Sequence, residues 1–307
     1  MEMRHLRYLI AVAEEQSFTR AAERLHVSQP GVSAQVRQLE RELGQQLLDR
    51  TGRTVVLTAA GETFLPYARA ALDAAASGAA SVDALTGLIR GHLRLGIGTI
   101  NSTAFDLPRL LAVFHDEHPG IDITLHEDAT SNLVSALHEG HVDAAFLGLV
   151  QLPIGEDIRV IELVRDPLVA VLTIEAAQGY SRIPIAALAD TPLIAPRSGS
   201  AVRELLGTAF IAAGIQPRIV FESGDPNMLV RLSHAGLGTA IVPASVLARY
   251  ADPRFTGLPL DPHLDARIGL AWRGRGPQSP ATGAFIHHLS TDPQIDPLRE
   301  TNNERTG

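Results

Sequence analysis

Cysteine and lysine are both missing from this sequence of 307 residues, and it contains no long uninterrupted apolar run. The first absence excludes disulfides, thiolate metal sites and cysteine nucleophiles, so the core has to hold by packing alone. Without lysine all 26 basic side chains are arginine, which we read as a base-composition bias of the source rather than a functional sign. The lack of a long apolar run leaves no membrane-spanning helix to expect. The opening MEMRHLRYLI does not read as a secretion signal, because charges break its apolar residues at helical spacing and no small-residue cleavage site follows. A cytoplasmic protein with no membrane partner is the expectation.

What is present is the composition of a globular protein, 45% hydrophobic and 20% charged. A chain this long rarely folds around one core, so two or three domains are expected. The net charge of −8 argues against a protein that coats nucleic acid without sequence preference. Charge is nonetheless uneven: residues 1–60 carry eight arginines against seven acids, a net of +1, which leaves −9 for the rest. That asymmetry is compatible with DNA contact at the N-terminal end.

Leu6, Leu9, Ile10 and Ala13 recur at three- and four-residue steps, the mark of one buried helix face running to about Glu15. Ser17 offers an N-cap to a short second helix through Ala21, Ala22 and Leu25. After a turn at His26-Val27-Ser28, Ser28 caps a third helix with Pro30 tolerated in its first turn. Val32, Val36, Leu39 and Leu43 form its buried stripe, and Gly44 ends it. Three short helices with a tight second turn are the helix-turn-helix layout. Off the stripe stand Gln29, Ser33, Ala34, Gln35 and Arg37, groups that suit base edges and phosphates of a major groove. A turn over residues 49–54 then joins Leu47-Leu48 to Val55-Val56-Leu57, a hairpin that would carry Arg50 and Arg53 beside backbone or minor groove. Periodicity alone would equally suit an unrelated three-helix unit with surface arginines.

The stretch FTRAAERLHVSQPGVSAQVRQLERELGQQLLDRTGRTVVLTAAGE closely resembles the N-terminal domain of LysR-type transcriptional regulators, continuously from about Met3 to Phe64. The resemblance implies a winged helix-turn-helix over 1–58 whose contacts to double-stranded DNA are Gln29, Pro30, Ser33, Arg37, Arg50 and Arg53. For Pro30 and Ser33 the competing reading is structural, helix start and helix solubility. Ala34 departs from the pattern, standing where relatives often carry a longer polar or basic side chain.

From the N-cap candidate Thr58 to about Thr86 the chain is alanine-rich, and Leu65, Ala68, Leu72, Ala75, Ala79 and Val82 form a heptad seam. So long a seam calls for a partner helix, with burial inside one protomer as the alternative. The linker and hinge are placed at 59–90. In the resembled family this helix makes the dimer, which implies a dimer or dimer of dimers on an inverted-repeat operator, with RNA polymerase as a further partner.

From Leu93 onward short apolar runs alternate with helical patterns, the rhythm of α/β units around a mostly parallel sheet. The resemblance extends here as a periplasmic-binding-protein-like (type 2) effector domain over 91–295. Its two α/β subdomains would be 91–162 with 267–295, and 163–266, followed by a polar, disordered tail 296–307. Ligands of such sheets sit beyond the strand ends, where helix N-termini offer free amides. Thr99, Ile100, Asn101 and Ser102 follow the first strand, Thr130 opens the next helix, and Arg197, Ser198 and Ser200 open a helix in the other subdomain. This set suits a small-molecule effector, a small carboxylate or other anion; the competing reading is that these hydroxyls only cap helices. A fourth loop, 223–227, could add polar contacts.

An enzyme finds little support. Gly96-Ile97-Gly98-Thr99-Ile100-Asn101 lacks the third glycine of a dinucleotide fingerprint, and the histidines lack zinc-site spacing. No catalytic residue, metal or cofactor is therefore expected. A transport binding protein would have no use for the first ninety residues. The expected function is a DNA-binding regulator whose promoter output answers to a small molecule.

Overall fold

The computed structural model describes residues 1–52, 54–84, 89–98, 104–149, 154–274 and 278–291. It divides into two compact units, one of residues 1–91 with 138–141 and 276–283, the other of the remainder. No described helix is long and apolar enough to cross a membrane.

The first unit is built from α1 (Met3–Glu15), α2 (Phe18–Arg24), α3 (Gln29–Leu43), the short hairpin β1 (Leu48–Asp49) and β2 (Val56–Leu57), and the long α4 (Ala59–Ala84). The predicted caps form: Ser17 accepts from the Arg20 amide at 3.3 Å and Ser28 from the Gly31 amide at 3.3 Å. Gly44 ends α3 in the left-handed region, φ 69°, where glycine alone carries no Cβ penalty. Leu6, Leu9 and Val12 of α1, Ala21 and Ala22 of α2, and Val32, Val36 and Leu39 of α3 close one core. Leu43 is not part of it; it is 39% exposed, because the stripe has run past the neighbouring helices by the last turn.

The hairpin joins this core through Leu47 and Leu48. Thr58 donates its hydroxyl to the Gln46 carbonyl at 2.6 Å and caps α4 by accepting from the Gly61 amide at 3.1 Å. A Cβ on Gly61 would stand 2.1 Å from the Leu47 carbonyl oxygen, so the start of α4 packs backbone to backbone on the wing. The expected seam divides in two. Ala68 and Leu72 pack into the N-terminal core of their own chain and Leu65 is buried, whereas Ala75, Ala79 and Val82 are exposed.

The second unit begins with β3 (Gly91–Ile97), α5 (Leu107–Glu117), β4 (Ile121–Glu127), α6 (Thr130–Glu139) and β5 (Ala144–Gly148). The 16-residue β6 (Ile158–Thr173) leads into α7 (Ile174–Ala177), β7 (Ile183–Pro184), a 3₁₀ turn at Ile185–Leu188, β8 (Leu193–Pro196) and α8 (Ala201–Ala212). There follow β9 (Ile219–Ser223), α9 (Pro226–His234), β10 (Thr239–Pro243), α10 (Ala244–Leu247), β11 (Phe255–Asp261), β12 (Asp265–Arg273) and α11 (Pro280–Thr291). The strand order β4-β3-β5-β12-β6-β10-β8-β9, with β11 also on β6 and β7 on β11, makes β6 the spine of both subdomains. Its residues up to Pro167 pair with β12, and from Leu168 onward with β10 and β11.

Alternation along β6 explains why its far half is buried on both faces. Leu168, Ala170 and Leu172 enter one core with Ile241 and Phe210, while Val169 and Val171 enter the opposite core with Ala240, Val242 and Leu229.

Candidate functional site

Ion pairs take up much of the positive charge among the described residues of α1, α2 and the hairpin. Arg4 pairs with Glu2, Arg20 with Glu15, Arg24 with Glu14 at 2.7 Å, and Arg50 with Glu40 at 2.6 Å. Arg69 of α4 reaches Glu14 at 3.0 Å. Burial opposes ionisation of Glu14, but hydrogen bonds and charge from Arg24 and Arg69 outweigh it and hold the carboxyl below its ordinary value. Among the described residues of the first fifty-two, Arg7, Arg37 and Arg41 are the arginines without an ion pair. Arg37 and Arg41 share the exposed face of α3 with Pro30 and Ala34, while Gln29 is exposed at its start.

Ser33 does not join that face. It is 8% exposed. At about 100° per residue it stands about 100° from Val32, on the border of the buried stripe rather than opposite it. Beside the second half of α3 lies an open hollow of about 750 Å³ lined by Ala34, Arg37, Glu40, Arg41, Gly44, Gln45 and Gln46.

Arg50 is placed differently from Arg37. Its guanidinium donates to Glu40 and lies 4.9 Å from the centre of the Phe18 ring, so it packs on α2 and α3 together. Glu40 in turn accepts from the amides of Leu47 at 3.1 Å and Leu48 at 3.2 Å. At the end of β1, Asp49 accepts from the Thr51 amide at 2.8 Å and from its hydroxyl at 2.7 Å. Arg53 lies outside the described residues.

In the second unit Thr99, Ile100, Asn101 and Ser102 also lie outside the described residues. Thr130 is 7% exposed at the start of α6, and its hydroxyl would be 3.4 Å from a Cβ on Gly98, the residue that follows β3. The α6 terminus already carries a negative group: Asp128 accepts from the Ala129 amide at 2.7 Å and the Asn132 side chain at 2.8 Å. The Asn132 bond, then the Ala129 amide, hold its carboxyl below the usual range.

Across the two subdomains, a Cβ on Gly148 at the end of β5 would stand 2.4 Å from the Ala201 Cβ in the first turn of α8. Nothing local in the sequence marks this approach, since β5 already carries two alanines beside its glycine. In the turn before α8, Arg197 and Ser198 are exposed, and no ion pair or side-chain hydrogen bond of Arg197 occurs among the described residues. Ser200 is 4% exposed and its hydroxyl oxygen accepts from the Arg203 amide at 3.3 Å, a capping role. The fourth loop is tied to this turn, the Arg197 amide donating to the Ser223 carbonyl at 2.9 Å. Its Asp225 caps α9 by accepting from the Asn227 amide at 2.9 Å.

Comparison with known proteins covers both units. Residues 3–62 match the family model of the bacterial regulatory helix-turn-helix protein, lysR family, and residues 86–293 match that of the LysR substrate binding domain. The regulator IlvR of Caulobacter vibrioides is 36% identical, over 95% of this chain and 98% of its own. The RuBisCO operon transcriptional regulator of Allochromatium vinosum is 32% identical, over 93% and 94%. Among solved structures, a full-length OxyR from Pseudomonas aeruginosa superposes with a TM-score of 0.73 at 25% identity, covering 97% of each chain. Full-length CbnR in complex with its target DNA gives 0.59 at 30% identity, covering 94% of this chain and 99% of that one.

Proposed function

The chain belongs to the LysR family of transcriptional regulators, with a DNA-binding helix-turn-helix and an effector-binding domain that controls promoter activity, and from that premise we propose how its own residues divide the work. The recognition helix α3 reads the operator through Gln29 at its start, with Arg37 on a phosphate. The observation that carries this is the pairing pattern: other arginines of α2 and the wing are held by Glu14, Glu15 and Glu40, while Arg37 stands exposed and unpaired among the described residues. Ser33 supports α3 from its flank. Arg53 keeps its expected contact at the wing.

The working unit is a dimer or dimer of dimers on an inverted repeat, acting in the cytoplasm on RNA polymerase rather than as an enzyme. The exposed Ala75, Ala79 and Val82 of α4 support the dimer, being apolar and uncovered in one chain. The effector is a small carboxylate or similar anion. Because Asp128 already occupies the α6 terminus, the anionic end belongs at the Arg197–Ser198 turn, with Thr130 on the other wall.

A gel shift with genomic fragments tests the first part: a sequence-selective shift that weakens steeply with salt is expected, and a shift without selectivity overturns it. A thermal-shift screen of small organic acids tests the second, since a ligand bound only by the native state raises the melting temperature. Arg197→Ala should abolish that rise and leave the gel shift intact; an unchanged rise would refute the placement.

A further inference from the structure

We propose that Glu40 is a positioning residue for the DNA grip: its carboxylate sets the wing against the recognition helix, and Arg50 is its tether rather than a phosphate ligand. This rests on the DNA-binding reading above and assigns one element of it. The Glu40 side chain is 10% exposed. A carboxylate that far from water is costly unless its lone pairs are taken. Here they are: one oxygen accepts the Leu47 and Leu48 amides at 3.1 and 3.2 Å, the other the Arg50 guanidinium at 2.6 Å.

Those three donors span the base of the hairpin. Leu48 pairs with Leu57 across it, and the Leu47 carbonyl accepts from the Thr58 amide at 3.0 Å. The hairpin has only two residue pairs of its own, too few to hold a wing at a fixed angle. One side chain from α3 therefore supplies the cross-link that the ladder lacks. Arg50 completes it by laying one face of its guanidinium over Phe18 of α2 while an edge N–H is bonded to Glu40. Glu40 lies at about 80° from Val32, beside Ser33 at the border of the buried stripe, and about three turns along α3 from Gln29, at the end where the hairpin packs.

The test uses the full-length protein and a duplex selected by the wild type from a random library. Affinity against salt and hydroxyl-radical footprints are measured for Glu40→Gln, Arg50→Ala, the double variant, Arg37→Ala and Arg53→Ala. Glu40→Gln keeps the shape and one acceptor, so it retains the fold. It and Arg50→Ala should each weaken binding about tenfold, the worth of one charge-assisted hydrogen bond, with the salt slope unchanged. Both should lose the backbone protections that Arg53→Ala loses and keep those lost with Arg37→Ala. The double variant should bind no more weakly than either single one, as expected of residues acting as one unit. The inference is overturned if Arg50→Ala lowers the salt slope by about one, as Arg37→Ala should. It also fails if Glu40→Gln binds like the wild type, or if protection fades uniformly over the site, the sign of a merely destabilised unit. A wild type that selects no sequence would instead sink the DNA-binding reading itself.

Discussion

Ala34 is the shortest side chain on the exposed face of α3, set between Pro30 and Arg37 and lining the hollow beside that helix. A methyl group there neither pairs with a phosphate nor fills the space, so the positive face of the helix consists of Arg37 and Arg41. Arg41 is partly committed, donating to the Gln38 side chain at 2.6 Å. On the reading proposed above Arg37 carries the electrostatic contact, and its replacement by alanine should lower the slope of log affinity against log salt by about one. The reverse change is more telling. Ala34→Arg should raise that slope by about one and tighten binding to all sequences alike, because phosphate contacts position the protein without reading bases. A titration at several salt concentrations decides it, and an unaltered slope would mean that position 34 faces solvent in the complex.

At the scale of single elements, β6 concentrates charged cross-links to its neighbours. Glu162, with its side chain 8% exposed, accepts from Arg165 at 3.0 Å on the same strand and from the Arg267 Nε at 2.9 Å on β12. Four residues on, the Asp166 carboxylate accepts from the Ser245 amide at 3.2 Å and hydroxyl at 2.5 Å, tying the strand to α10. Burial alone would raise the Glu162 pKa, but Arg267 and Arg165 outweigh it and leave it lowered from 4.5. A depressed folded-state value means that the unfolded chain takes up the proton first as pH falls. The stabilisation is therefore complete above about pH 4.5 and is lost as pH drops through the folded-state value. Glu162→Gln should cost about 1 kcal/mol at neutral pH, a modest figure because both arginines are nearly half exposed. Its melting temperature should converge with that of the wild type in melts taken at successively lower pH. A constant gap across pH would assign the effect to packing.

The same strand shows where the sequence was legible and where it was not. Leu168 to Leu172 is an apolar run and reads as a buried strand, but Arg159, Glu162, Arg165, Asp166 and Pro167 break any apolar pattern before it. Their strand character comes from β12, whose pairing and charges arrive from a hundred residues away. Locally coded features were readable: the Ser17 and Ser28 caps, the α3 stripe as far as Leu39, and Thr58. The surroundings of Arg50 and Ser33 were harder to read, because the Glu40 partner of one and the burial of the other depend on tertiary neighbours.

For the whole molecule, the proposed function makes two surfaces worth testing. Within the effector domain, Gly148 meets Ala201 so closely that any larger residue must part β5 from α8. Gly148→Val should leave DNA binding intact while blunting or abolishing the promoter response to an effector, read by a reporter assay; an unaltered response would show that the approach is incidental. Between chains, the far half of α4 supplies the argument. Ala68 is consumed by the N-terminal core of its own protomer, so a charge there should unfold that unit. Val82 is 65% exposed and free of that role. Val82→Asp should therefore keep the melting temperature of the winged unit but shift sedimentation toward monomer. Operator affinity should fall by at least tenfold, because two linked half-site contacts become independent ones. If the variant still sediments as the wild type does, the dimer does not close through this part of the helix, and the exposed alanine and valine positions need another explanation.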